Sequence, residues 1–109
     1  MADRDLRADR EVAAALDALA LAYDKAASAI ETAPDPHRAF ERATQLAETL
    51  RDAAESAAEL RARVAANIWE TEALSLAQLA KRIGVSKARA AQLVRTARAA
   101  AVEEGSADG

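Results

Sequence analysis

Apolar side chains spaced alternately four and three residues apart constrain this chain more than any other feature. Val12, Leu16, Leu19, Tyr23, Ala26 and Ile30 follow that rhythm, and so do Leu46, Leu50, Ala53, Ala57, Leu60 and Val64. A helical repeat brings such positions onto one narrow stripe, whereas a half-buried strand would need alternation by two. The spacing predicts a first helix from about residue 4 to residue 32 and a second from Pro36 to about Glu72. Between them, Ala33-Pro34-Asp35-Pro36 ends one helix and starts the next. Two prolines one residue apart cannot lie inside a helix, and Asp35 followed by Pro36 makes a cap and first-turn pair. Matched seams joined by a short link predict a long antiparallel helical hairpin. At 1.5 Å per residue the second helix extends roughly 50 Å, too far for a small module to cover. Its first half is therefore expected to pair with the first helix, with another chain as a further partner. Val12, Leu16, Leu19, Tyr23, Leu46 and Leu50 form the expected dimerisation surface.

Composition narrows the function classes. Alanine accounts for 33 of the 109 residues, and Tyr23, Phe40 and Trp69 are the only aromatics. Alanine surfaces let helices approach closely but bury little area per contact. At about 25 cal/mol per Å², such a fold gains from long interfaces or a partner chain. The absence of cysteine excludes disulfides and thiolate metal sites. His37 is the single histidine and is expected at an exposed helix start. With three glycines and no phosphate-cradling loop, no catalytic residues, no metal site and no cofactor are expected. Its acidic residues recur at the charge-pair spacings of a solvated helix face. A charged N-terminus and the lack of an apolar run of about 20 residues argue against a leader or a membrane span. The expected location is the cytoplasm, in association with the nucleoid.

Net charge is −3, but it is unevenly distributed. Residues 1–60 carry seven basic and thirteen acidic side chains, whereas residues 61–100 carry eight basic and two acidic. Halves of opposite sign suggest that the positive half meets a polyanion. Three segments follow: 1–60 as a helical hairpin and dimerisation arm, 61–100 as a cationic module, and 101–109 as a small, acidic tail expected to be disordered.

Residues 75–95, SLAQLAKRIGVSKARAAQLVR, contain the strongest functional signal. Leu79, Ala80 and Ile83 share one face of a short helix, and Ala80 must be small where two helices cross. Gly84 can adopt the left-handed conformation that ends that helix. Ser86 can cap the next one, on which Ala90, Leu93 and Val94 return to the core. Ser75 with Gln78 makes a capping box at the preceding start. The end of the long helix, around Arg61 to Glu72, should supply a third helix, with Val64, Ile68 and Trp69 packed against Leu76, Leu79, Ile83 and Leu93. The fold class is thus all-α: a long antiparallel hairpin whose second helix runs into a C-terminal three-helix module.

A turn of this kind sets its second helix where it can lie in the major groove of DNA. Ser86, Lys87, Arg89, Gln92 and Arg95 face outward on that helix. Arginine or lysine suits guanine edges and glutamine suits adenine. Lys81, Arg82, Arg95 and Arg98 suit phosphate contacts, which position a protein without reading sequence. The run L-A-x-x-x-G-V-S, from Leu79 to Ser86, resembles the helix-turn-helix of bacterial repressors and of sigma-factor region four. The resemblance covers roughly residues 61–98 and implies that Ser86, Lys87, Arg89 and Gln92 face DNA. Ala88 and Ala91, near the same groove, offer bases no polar group.

The expected function is that of a small homodimeric transcriptional regulator bound to double-stranded DNA. Two other readings fit the same residues. The acidic hairpin could be the working part, binding a protein partner as an adaptor. The chain could also be a nucleoid or plasmid-maintenance DNA binder of low sequence specificity.

Overall fold

A computed structural model describes residues 2–108, with side chains through Glu103. The described residues form four helices and no strand: α1 (Ala2–Glu31), α2 (Pro36–Thr71), α3 (Leu76–Ile83) and α4 (Lys87–Asp108). The first two begin and end within two residues of the bounds expected from the stripes. The chain divides into two units, Met1–Leu50 and Arg51–Gly109. The division falls earlier than the boundary expected at residue 60, and it falls inside α2, which runs through it without a break.

In the first unit, α1 ends as Thr32 N–H donates to Ser28 O at 3.1 Å and Ala33 N–H donates to Ile30 O at 3.2 Å. Asp35 then caps α2: its Oδ1 accepts from His37 N–H at 3.0 Å, and its carbonyl accepts from Ala39 N–H at 3.0 Å. That is the role expected of an acid one residue before a first-turn proline. His37 lies exposed at this start, its Nε2 3.1 Å from Glu41 Oε1.

The stripes do not close into a packed intrachain hairpin. No residue of α1 is buried. Val12, Leu16, Leu19 and Tyr23 are exposed, Leu50 is exposed, and Leu46 is half-buried. Near the link, α1 and α2 instead leave an open crevice of about 650 Å³, bordered by Ile30, Ala33, Leu46, Arg38 and Arg42 among others.

The core of the second unit is made by the end of α2 together with α3 and α4. Ala62 and Ala65 pack with Leu93 and Ala97; Leu79 and Ala80 pack with Ala90 and Val94. Ile68, Trp69, Leu74, Leu76, Ile83 and Val85 cover these clusters. Most of the buried side chains are alanines, and Leu79, with no exposed surface, is the largest fully buried one. Val64 corrects an expectation: it is 52% exposed. The α2 face that meets α4 is marked by Ala62 and Ala65, whereas Val64 continues the stripe of Leu60, which is also exposed. Large apolar side chains define the stripe, but small ones permit the close helix crossing.

Both turns of this unit use left-handed residues. At the end of α2, Ala73 has φ 52°. Its N–H donates to Glu70 O at 3.3 Å, and Leu74 N–H donates to Trp69 O at 3.1 Å, the paired bonds of a Schellman cap. At the end of α3, Gly84 has φ 73° and ψ 37°, and its N–H donates to Ala80 O. Val85 N–H donates to the same oxygen at 2.9 Å. Helix α4 continues to Asp108, through most of the stretch expected to be disordered. The alanines at 97 and 99–101 favour that continuation, and Gly109 lies outside the described residues.

Candidate functional site

The candidate site is built on the start of α4 and the end of α3. Ser75 and Gln78 form the reciprocal capping box that sets where α3 begins: Gln78 N–H donates to Ser75 Oγ at 3.1 Å, and Ser75 N–H donates to Gln78 Oε1 at 2.8 Å. Ser86 sets the start of α4, with Oγ accepting from Arg89 N–H at 3.0 Å and the carbonyl accepting from Ala90 N–H at 2.9 Å. These caps fix the register of α4. With Ala90, Leu93, Val94 and Ala97 buried, the opposite side of α4 faces outward.

Ser86, Lys87, Gln92 and Arg95 are exposed, and Arg89 is half-buried. Arg89 Nη1 donates to Gln92 Oε1 at 2.9 Å, joining two side chains singled out by the sequence. Lys81, Arg82 and Arg98 are exposed as well, but two of them have structural partners. Arg82 Nε lies 3.4 Å from Glu72 Oε1, tying α3 to the end of α2. The Arg98 guanidinium sits 4.9 Å from the centre of the Trp69 ring, a cation–π contact that covers the half-buried indole. Trp69 thus belongs to the core of the module, as its scarcity among aromatics suggests.

Helix dipoles distinguish the two cationic clusters. Lys81 and Arg82 occupy the last turn of α3, where cations offset the partial negative charge of unpaired carbonyls. Lys87 begins α4, and the first turn of that helix contains no acid. Cations there oppose the positive end of the dipole, at a cost of about 0.3–1 kcal/mol each. Helix stability therefore accounts for Lys81 and Arg82 but not for Lys87. Sequence reasoning missed the Arg82–Glu72 and Arg98–Trp69 contacts, because neither pair has a helical spacing in the chain.

Among the described residues, no group of three or more His, Cys, Asp or Glu side chains could hold a metal ion. No helix among them is long and apolar enough to cross a membrane. The described residues thus define an all-α protein with a cationic helix start at the surface of a small three-helix unit. No family model matches the chain, and no curated protein or solved structure is detectably similar to it.

Proposed function

We propose that this chain is a DNA-binding protein, a small homodimeric transcriptional regulator whose α4 enters the major groove. The observation that carries the reading is the capped α3–Gly84–Ser86–α4 turn, which leaves Gln92 and Arg95 on the side of α4 opposite its buried residues, with exposed Lys87 and half-buried Arg89 on its flanks. The unfavourable placement of Lys87 at a helix N-terminus supports it, because a phosphate or base acceptor would supply the missing negative charge. Lys81, Lys87 and Arg95 are exposed cations suited to phosphates. Gln92 Oε1 is already engaged by Arg89. That oxygen keeps a second lone pair for an adenine amino group, which favours joint reading by the Arg89–Gln92 pair.

A selected-sequence binding experiment tests the proposal. An enriched motif should emerge, and Arg89→Ala with Gln92→Ala should abolish the preference while leaving helicity intact. Neutralising about four phosphates would give a slope near −4 in log affinity against log salt. No enriched motif together with a flat salt response would remove the reading. The low-specificity DNA binder would keep the salt slope without the motif. The adaptor reading has one observation in its favour, the uncovered apolar stripe of α1. A stable hetero-complex in which α4 substitutions have no effect would favour it.

A further inference from the structure

The stripe of α1 differs in character at its two ends. In the middle, Val12, Leu16 and Leu19 are 57%, 59% and 64% exposed. The positions flanking it are alanine on both edges: Ala13, Ala20 and Ala27 on one side, Ala15, Ala22 and Ala29 on the other. Those flanks usually carry the charges of a two-stranded coil; methyl groups there widen the apolar face and allow close approach. Three residues before Val12 the stripe reaches Asp9, and four before that it reaches Asp5. At the other end it runs into the crevice bordered by Ile30, Ala33, Leu46, Arg38 and Arg42. Arg42 Nη1 donates to Gln45 Oε1 at 3.2 Å, and among the described residues neither arginine has a carboxylate partner.

The face therefore runs from carboxylates through an apolar middle to guanidinium groups. A second copy laid antiparallel satisfies both ends at once, whereas a parallel copy sets acid against acid and arginine against arginine. We propose that two copies of this chain associate antiparallel through α1, with Val12 of one opposite Ile30 of the other, and Asp5 and Asp9 of each at the Arg38–Arg42 end of its mate. The proposal rests on the dimeric part of the function given above and is independent of DNA.

The chain has no cysteine, so single thiols report the pairing directly. Val12→Cys and Ile30→Cys proteins, mixed and mildly oxidised, should form the mixed disulfide dimer in preference to either homodimer. A dominant Val12→Cys homodimer would show parallel pairing, and a monomer by light scattering at micromolar concentration would show none; either result overturns the proposal. Arg38→Glu with Arg42→Glu should weaken self-association roughly tenfold, and adding Asp5→Arg and Asp9→Arg to the same chain should restore it. Circular dichroism controls for folding of each variant. Failure to restore would remove the charged ends from the proposal. DNA selection on the crosslinked dimer is read separately, so a dimer that selects no motif counts against the regulator reading alone.

Discussion

At the residue scale, the two left-handed caps make opposite predictions. Gly84 holds φ 73° without strain, and a Cβ there would meet nothing within 4 Å. The effect of Gly84→Ala is therefore backbone strain alone, a loss of about 1 kcal/mol. Ala73 adopts φ 52° with a Cβ already present. Replacing it by glycine should stabilise the protein by about 1 kcal/mol, or raise its melting temperature by about 4 °C. Thermal denaturation of the two variants tests both signs. Gly84 was legible in the sequence because glycine announces a left-handed turn. Ala73 was not, since alanine is the best helix former and only the bonds from Ala73 and Leu74 reveal the cap. Lys87 adds a prediction of different form. Lys87→Glu should raise thermal stability by a few tenths of a kcal/mol while weakening DNA binding at least tenfold. If affinity is unchanged, Lys87 has no part in the interface.

At the element scale, the central feature is the division of labour along α2. Its stripe of Leu50, Leu60 and Val64 is exposed, while Ala62 and Ala65 pack beneath α4. Reading the largest apolar side chains as core works for Leu79 and Leu93 and fails for Val64. The failing step is physical: closely crossing helices exclude large side chains, so the contact face is written in alanines that look neutral in sequence. Core substitutions should reflect this. Leu79→Ala should cost about 3 kcal/mol by leaving a cavity. Ala90→Leu, at a position with no exposed surface, should cost roughly 1–3 kcal/mol by forcing α3 and α4 apart. Chemical denaturation gives both values. If Ala90→Leu is neutral, the helices do not cross closely at that point.

At the scale of the whole molecule, the two proposed interfaces fall on stretches of opposite charge. The cationic stretch 61–100 carries the proposed DNA-facing side chains, and the acidic stretch 1–60 carries the uncovered stripe. An exposed apolar stripe on a 30-residue helix exceeds the scattered apolar surface ordinary for a lone chain. Leu16→Gln with Leu19→Gln should accordingly turn a dimer into a monomer in sedimentation at micromolar concentration. An unchanged mass would relocate the interface away from α1.

The sequence by itself determined where α2, α3 and α4 start and where α3 stops, because those signals are local: Pro36, Ser75, Gly84 and Ser86 act on backbone groups within a few residues. It also separated the cationic stretch from the acidic one, since charge requires no fold to be counted. Tertiary structure alone decided which apolar residues are buried. Burial depends on how closely two helices can approach, and that distance is set by the smallest side chains at the crossing, Ala62, Ala65, Ala80 and Ala90. The pairings of Arg82 with Glu72 and Arg98 with Trp69 were decided in the same way. They join residues far apart in the chain, and no local rule can foresee them.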